Sequence, residues 1–256
     1  QTFVKCKMDN FSDIPGEIFD KLQAANQVVV LTGAGVSAES GVPTFRGSEG
    51  LWRNFKAEDL ATLDAFIKDP SLVWEWYNMR RETIAPLNPN PGHLAIAEME
   101  HLFPQFTLIT QNVDGLHKLG GSTNPVEMHG NIWKTRCIAE GTVFENRDTP
   151  LKEIPPHCPD CGEMVRPHIV WFGESLDTIV LSCVFDAAKR ADIFFVVGSS
   201  SIVQPAASLA HLAKSNDAMI LEFNLEPTMD SDIVHSSVLG PSGETLPKFL
   251  ESFKSH

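Results

Sequence analysis

The chain has 256 residues, of which 43% are apolar and 21% charged, so it can bury a large core and belongs to neither the disordered nor the membrane-embedded class. Its 33 acidic residues exceed its 20 basic ones by 13, which disfavours nonspecific binding of nucleic acid and favours cationic partners such as lysine-rich peptides. No apolar run reaches the roughly 18 residues of a membrane span, and we expect neither a signal peptide nor a membrane partner. Five cysteines are too few for a disulfide scaffold and indicate a reducing compartment.

Predicted strands and helices alternate along the chain. Strands are predicted over residues 27–32, 106–110, 125–128, 192–197 and 218–223, with helical periodicity around 57–85, 92–103, 177–190 and 204–215. Each predicted strand ends in small or polar residues. This order predicts an α/β fold, a doubly wound, Rossmann-like parallel sheet that binds ligands beyond the carboxyl ends of its strands.

Two stretches interrupt this alternation, one over about 48–103 and one, with cysteines and prolines, over about 130–170. We interpret both as insertions that together form a smaller, zinc-ribbon-like and helical module. The Rossmann-like large domain then takes about 15–47, 104–129 and 171–256, and residues 1–256 form a single functional unit.

A glycine-rich turn follows the first strand. Gly33, Gly35 and Ala38 fit a G-x-G-x-x-A pattern, in which the glycines permit a tight turn and let backbone N–H groups approach a pyrophosphate. The same pattern also occurs as an ordinary strand-to-helix turn. No strand with an acidic tip follows about 20 residues later, which argues against an ordinary dehydrogenase.

Polar side chains come at the ends of two later strands. Gln111, Asn112 and Asp114 follow one of them, and His129 follows the next. A neutral imidazole suits general-base catalysis near pH 7, although a lone histidine more often has a structural role. The amides and the carboxylate fit either ligand binding or the turn chemistry that ends a strand.

Tyr77 and Arg80 lie at positions i and i+3 of a predicted helix and therefore share one face. In one interpretation Trp74 and Tyr77 pack at a core edge and Arg80 is solvated. In the other, Arg80 forms a bidentate pair with a ligand carboxylate and the Tyr77 hydroxyl donates a third hydrogen bond. A pocket for a neutral ligand would have no use for this cation, because nothing would offset its desolvation.

A cysteine cluster lies in the second insertion. Cys158 and Cys161 form a C-x2-C pair, whereas Cys137 is followed three residues later by Glu140 instead of a cysteine. Three thiolates with either Glu140 or His157 as fourth ligand could bind a structural zinc ion. The alternative is a metal-free module that packing alone holds together.

Several of these motifs together resemble those of one family. GAGVSAESGVPTFRG (33–47), TQNVDGLH (110–117), MHG (128–130), VWFGE (170–174), GSSS (198–201) and the strand-end Asn224 resemble the successive signatures of the sirtuins, the NAD-dependent protein-lysine deacylases. The resemblance runs from about residue 20 to about residue 250. Within it, Ala61, Tyr77 and Arg80 resemble the acyl-pocket set of the class III branch, which prefers negatively charged acyl groups.

The resemblance implies roles for individual residues. His129 would activate a ribose hydroxyl of NAD, Asn112 would position the ribose or a water molecule, and Phe45 and Arg46 would cover the cofactor. The implied NAD site comprises Gly33, Ala34, Gly35, Ala38, Phe45, Arg46, Gln111, Asn112, Asp114, Gly198, Ser199, Ser200 and Asn224. The implied substrate site comprises Ala61, Tyr77 and Arg80, with Val170, Trp171, Phe172, Gly173 and Glu174 pairing with the peptide backbone.

The expected reaction removes succinyl, malonyl or glutaryl groups from protein lysines much faster than acetyl groups, and it releases nicotinamide and O-acyl-ADP-ribose. The alternatives are an NAD-dependent deacetylase, a mono-ADP-ribosyltransferase, a hydride-transferring dehydrogenase and a non-catalytic NAD or ADP-ribose sensor. We expect acyl-lysine proteins or peptides as partners, a monomer, and an intracellular location in the mitochondrial matrix or cytoplasm.

Overall fold

The computed structural model describes residues 14–43, 51–52, 55–228 and 232–256, without the side chains of residues 51, 52, 55, 57 and 58. The strands in this part of the chain are β1 (Gln27–Thr32), β2 (Leu51–Trp52), β3 (Phe55–Lys56), β4 (Gln105–Thr110), β5 (Val126–Glu127), β6 (Gly130–Cys137), β7 (Val143–Glu145), β8 (Val165–Ile169), β9 (Ile193–Val197), β10 (Met219–Asn224) and β11 (Ser236–Leu239). The helices are α1 (Gly16–Ala24), α2 (Ala34–Ala38), α3 (Ala57–Leu60), α4 (Leu63–Lys68), α5 (Pro70–Ile84), α6 (Pro91–Leu102), α7 (Leu116–Leu119), α8 (Thr178–Arg190), α9 (Ala206–Ser215) and α10 (Ser242–Ser255).

The large sheet has six parallel strands in the order β11-β10-β9-β1-β4-β5. The chain proceeds outward from β1 through β4 to β5 and then returns to place β9 on the other side of β1. Because the strand order reverses there, the carboxyl ends of β1 and β9 form the switch point at which such sheets bind ligands. The predicted doubly wound fold is confirmed.

Both faces of the large sheet are covered, which explains the uninterrupted apolar run from Val28 to Leu31 in β1. All six residues of β1 are buried. Val28 and Val30 pack into a core shared with α1, α6 and α10, whereas Val29 and Leu31 pack into a second core shared with α8 and α9. A central parallel strand needs apolar side chains on both faces, so its sequence does not alternate.

The predicted elements of the large sheet all form, and the structure adds others. Strand β11 and the long helix α10 complete one edge, and α1 precedes β1. The helical stretch predicted over 57–85 divides into three helices. The Thr62 and Asp69 side chains accept hydrogen bonds from the N–H groups of Ala65 and Leu72, so each of them begins a new helix.

The two insertions share a third core. The small antiparallel sheet has the order β7-β6-β8, and its Trp133 packs in one cluster with Trp74 of α5 and with Trp171. Helix α6, although part of the first insertion, contributes Ile96 and Met99 to the core of the large sheet. The exact division into two units stays a prediction. Within the described ranges, none of the helices combines the length and the apolar character needed to cross a membrane.

A direct backbone contact joins the turns that follow β1 and β9. The Gly35 N–H donates to the Gly198 carbonyl at 2.8 Å, and the Gly33 N–H donates to the Val197 carbonyl at 3.0 Å. A Cβ atom at Gly35 would lie 2.7 Å from the Gly198 Cα, and one at Gly198 would lie 2.5 Å from the Val36 nitrogen. Gly198 also has a φ of +58°, which disfavours other residues. Both positions therefore require glycine.

We predict that Gly198→Ala lowers the free energy of unfolding by about 2 kcal/mol or more, because a positive φ and an overpacked backbone contact are each costly. Urea denaturation measures this change. Gly16→Ala is the matched control, since a Cβ there would meet only the His256 side chain at 3.5 Å. A Gly198→Ala variant as stable as the Gly16→Ala variant would contradict the prediction.

Candidate active site

The ends of β4, β9 and β10 are joined through Ser199. The Gln111 side chain donates to the Ser199 hydroxyl at 3.0 Å, and the Asn224 side chain donates to the Ser199 carbonyl at 2.8 Å. The Asn112 side chain donates to the Gly33 carbonyl at 3.0 Å. The structure thus brings the predicted strand-end amides to the glycine contact, where Ala34 and Ser200 are exposed and Ala38 is half-buried.

His129 lies between β5 and β6, half-buried beside the end of β4. Its Nδ1 atom is 3.1 Å from the Gln111 carbonyl oxygen. Because a carbonyl can only accept, Nδ1 carries the proton and Nε2 keeps a free lone pair. Burial lowers the pKa of His129, and the bond to Gln111 opposes that shift. The imidazole is therefore neutral near pH 7, with one nitrogen available as a base.

A buried hydroxyl, that of Ser37 in α2, joins several of these groups. It accepts hydrogen bonds from the Asn112 side chain at 3.1 Å and from His93 Nε2 at 3.3 Å. The backbone N–H of Asn90 donates to His93 Nδ1, which leaves the ring proton on Nε2. Burial raises the pKa of Asp114, whereas the Leu116 N–H and the Ser37 hydroxyl stabilise its carboxylate.

Sequence reasoning missed this buried layer. Burial lowers the pKa of His93 to about 4 and that of His117 to about 3, so both rings are neutral. His117 Nε2 lies 2.9 Å from the Thr32 hydroxyl, and the two rings are 4.8 Å apart. The sequence did hold one signal for a buried polar role of His93. Asn90 and His93 form the capping box of α6, and the third helical position of such a box is normally glutamate or glutamine.

Tyr77 and Arg80 lie on the inner face of α5. The Trp171 indole N–H donates to the Tyr77 hydroxyl oxygen at 2.8 Å, which leaves the hydroxyl proton available to donate. Burial raises the pKa of Tyr77 to about 12, so the phenol stays neutral. Burial also lowers the pKa of Arg80, while nearby Tyr77 and Asp114 act against that shift.

The Arg80 guanidinium lies 5.2 Å from the centroid of the Trp76 ring, and the side chain is half-buried. Trp74 and Tyr77 are core residues, as the structural interpretation required. The solvated arginine of that interpretation is wrong, because α5 packs Arg80 against an aromatic ring and next to two buried polar side chains.

The segment from Val170 to Glu174, which the resemblance implies to pair with the peptide backbone, does not continue the strand before it. The strand β8 ends at Ile169. The chain turns because Glu174 holds Arg166 through two hydrogen bonds of 2.6 and 2.9 Å and also accepts the Trp171 N–H.

Two isolated backbone hydrogen bonds hold the segment Val170–Glu174 in place. The Val170 N–H donates to the His129 carbonyl, and the Phe172 N–H donates to the Ala61 carbonyl, at 3.0 and 2.9 Å. Gly173 supplies the positive φ of the following turn. The segment therefore lies between His129 and the buried Ala61. Phe45 and Arg46, the predicted cofactor cover, fall outside the described residues.

The cysteine cluster forms, with Glu140 as its fourth member. The ligand atoms of Cys137, Glu140, Cys158 and Cys161 all lie within 4.8 Å of one another, so one ion could contact all four. The Glu140 N–H donates to the Cys137 sulfur and helps to lower the pKa of that thiol. His157 faces elsewhere, with Nδ1 3.0 Å from a Glu153 carboxylate oxygen. The cluster could hold structural zinc through Glu140 and not through His157.

We predict that the purified protein contains one zinc ion and that Glu140→Ala weakens its retention during dialysis against a chelator. Removal of a ligand should speed metal loss, whereas Glu140→Cys should slow it by completing a four-thiolate site. Metal analysis after timed dialysis measures both effects, and His157→Ala is the control that should behave as the wild type does. Faster zinc loss from His157→Ala than from Glu140→Ala would refute this ligand set.

Comparison with known proteins agrees with this geometry. The family model described as the Sir2 family matches residues 33–205. A protein named NAD-dependent protein deacylase from Aquifex aeolicus (strain VF5) is 54% identical over 201 residues, which cover 78% of this chain and 84% of that protein. A solved structure described as a Sir2 homolog–NAD complex has a TM-score of 0.89 at 40% identity and covers 94% of each chain. A Sir2–p53 peptide–NAD+ structure has a TM-score of 0.82 at 29% identity, covering 94% of this chain and 98% of its own. The chain therefore belongs to the Sir2 family, the sirtuins.

Proposed function

We propose that this sirtuin is an NAD-dependent protein-lysine deacylase that removes succinyl, malonyl and glutaryl groups and acts weakly on acetyl groups. The Tyr77–Arg80 pair carries the acyl preference in this proposal, because its cation and its hydroxyl proton both suit a carboxylate. The general activity is supported by the Aquifex relative, which is named a deacylase, and by the structures described as complexes with NAD and with a peptide.

The residues around the glycine contact suit a dinucleotide. The turn at Gly33–Gly35 and the exposed Ser200 would hold its phosphates and the adjoining ribose, while Gln111 and Asn224 fix the turn after β9. NAD would supply the acceptor of the acyl group and release nicotinamide. The remaining chemistry depends on side chains that stay neutral and keep fixed orientations.

His129 is proposed as the general base. Its Nδ1–H is fixed by Gln111, which aims the unprotonated Nε2 away from that carbonyl. The Asn112 amide nitrogen donates to both the Gly33 carbonyl and the Ser37 hydroxyl, so the orientation of the amide is set. This arrangement would position a ribose hydroxyl or a water molecule beside His129.

Arg80 and Tyr77 are proposed to bind the carboxylate of the acyl chain. Arg80 offers a planar guanidinium that already rests on Trp76, and Tyr77 offers a proton because Trp171 occupies its oxygen. A guanidinium beside apolar and aromatic groups loses hydration, and an anionic acyl terminus would restore that loss. An acetyl group carries no charge and could not replace the lost hydration of the guanidinium. Small Ala61 would leave space for the longer chain.

The segment Val170–Glu174 is proposed to pair with the backbone of the acyl-lysine peptide. Backbone pairing gives affinity with little dependence on flanking side chains. Acyl-lysine proteins are therefore the proposed substrates, and the acyl group provides most of the discrimination. A reducing location in the cytoplasm or the mitochondrial matrix fits the three thiols of the cysteine cluster.

One assay tests the reaction and separates the alternatives. The protein is incubated with NAD and matched succinyl-lysine and acetyl-lysine peptides, and nicotinamide, peptide mass and the ADP-ribose product are measured. Deacylation with equal release of nicotinamide supports the proposal. A reduced nicotinamide would indicate a dehydrogenase, labelled peptide would indicate an ADP-ribosyltransferase, and binding without turnover would indicate a sensor.

We predict that Arg80→Met lowers kcat/KM for the succinyl peptide by about 10- to 100-fold, because a charge-assisted hydrogen bond contributes about 1.5–3 kcal/mol. The acetyl peptide should be turned over within about threefold of the wild-type rate. Steady-state kinetics on the two peptides measure the difference. The control is Arg190→Met, because Arg190 is an exposed arginine of α8. The neighbouring Arg81 is fully buried, so its replacement would disturb the core. Equal losses on both peptides would contradict a role in acyl selection.

We predict that the acid limb of the pH profile of kcat/KM lies below the ordinary histidine pKa of 6.5, because burial lowers the pKa of His129. The neutral base is then retained as the pH falls through 6.5 and is lost only below it. His129→Ala should reduce nicotinamide-coupled deacylation about 100-fold or more, while the exposed His101→Ala control should not. An acid limb above the ordinary value would exclude His129 as the group that titrates there.

A further inference from the structure

Four basic residues share the outer face of the small sheet. Lys134 and Arg136 alternate along β6, and Arg166 and His168 alternate along β8, while the residues between them are buried. In the antiparallel register Arg136 lies directly opposite Arg166. We call these four residues the basic face. It is a local concentration of positive charge on a chain whose net charge is −13.

The Arg136–Arg166 pair destabilises the sheet unless nearby acidic groups offset the repulsion, because like charges lie directly opposite each other. The fold neutralises part of the face. Glu127 pairs with Lys134 at 2.7 Å, and Glu174 pairs with Arg166, whose guanidinium also stacks on Trp171 at 3.6 Å. Arg136 is exposed and makes no ion pair with any residue that the structure describes.

The pKa of His168 is affected by the same positive charges. Its pKa is lowered by burial and by the charges of Lys134, Arg136 and Arg166, and only Glu127 opposes them. Because burial and these charges keep His168 neutral near pH 7, the excess positive charge of the face is centred on Arg136, while Lys134 and Arg166 are paired. An anionic side chain placed there would relieve the repulsion and find a bidentate partner in the Arg136 guanidinium.

The basic face continues into the proposed peptide segment. His168 comes two residues before Val170, which bonds to His129, and the exposed Phe172 follows two residues later. At about 3.3 Å per residue, Arg166 lies about 13 Å from Val170 along an extended chain. A side chain within about four positions of the acyl-lysine could therefore reach the basic face.

We infer that the basic face binds acidic side chains that flank the acyl-lysine in protein substrates. The inference rests on the proposed function for its location and adds a preference for acidic sequence. An acidic peptide fits better than nucleic acid, because the net negative charge of the chain repels an extended array of phosphates but tolerates one or two local carboxylates.

The test compares two succinyl-lysine peptides of equal length, one with glutamates at positions within four residues of the lysine and one with glutamines there. Wild type should show about threefold or higher kcat/KM for the acidic peptide at low salt, since each exposed pair contributes modestly. The preference should shrink as salt is raised to about 0.5 M, because exposed charges are screened.

Arg136→Glu should abolish or reverse the preference and leave kcat/KM for the glutamine peptide unchanged. It should fold, because it places a glutamate opposite Arg166 in the sheet. Arg190→Glu, at an exposed arginine of α8, is the matched control and should keep the preference. Equal kcat/KM for both peptides in wild type, or an unchanged preference in Arg136→Glu, would overturn the inference.

A second measurement separates this inference from the proposed function. Fluorescence anisotropy measures binding of the same acidic and glutamine peptides, labelled and without the succinyl group, to wild type and both variants. If wild type fails to turn over either succinyl peptide, the proposed function is wrong. Tighter binding of the acidic peptide, lost only in Arg136→Glu, would still support the basic face, and equal binding would refute it.

Discussion

The backbone contact between Gly35 and Gly198 determines where the other functional groups lie. It brings the turns after β1 and β9 within hydrogen-bonding distance at the switch point of the sheet, which only residues without a Cβ allow. Once these turns touch, the amide of Gln111 reaches Ser199 from β4, and the amide of Asn224 reaches it from β10. The strand ends then form one continuous polar edge instead of separate loops.

Beneath that edge the protein uses neutral polar groups. His93 and His117 are buried and hold no charge near pH 7, since burial lowers their pKa values to about 4 and about 3. Ser37 accepts two hydrogen bonds and stabilises Asp114 with its own proton, so Asn112 and Asp114 keep fixed orientations. Neutral hydrogen-bonded groups avoid the large desolvation cost of buried charges.

The sequence was sufficient to predict features that depend on local pattern. The apolar run of β1 and the glycines after it indicated a buried parallel strand and a nucleotide turn. It could not predict β11, because the sequence SSVL becomes a strand only by pairing with β10. The Ser37–His93 contact joins residues 56 positions apart, and Glu140 and His157 were equally acceptable as ligands until the structure turned His157 toward Glu153. In each case the outcome depends on long-range packing that no short pattern records.

Trp171 links the proposed carboxylate-binding pair, Tyr77 and Arg80, to the proposed peptide-pairing segment Val170–Glu174. Its indole N–H donates to the oxygen of Tyr77 and so leaves the phenol proton available to donate, while its ring stacks against the Arg166 guanidinium. Arg166 holds Glu174, and Glu174 in turn accepts the backbone N–H of Trp171. Because Trp171 lies in the proposed peptide-pairing segment, a shift of that segment would also move the indole N–H that donates to the Tyr77 hydroxyl oxygen. In the proposed function, acyl selection and peptide binding would therefore depend on one shared side chain, and a substitution at Trp171 would disturb both together.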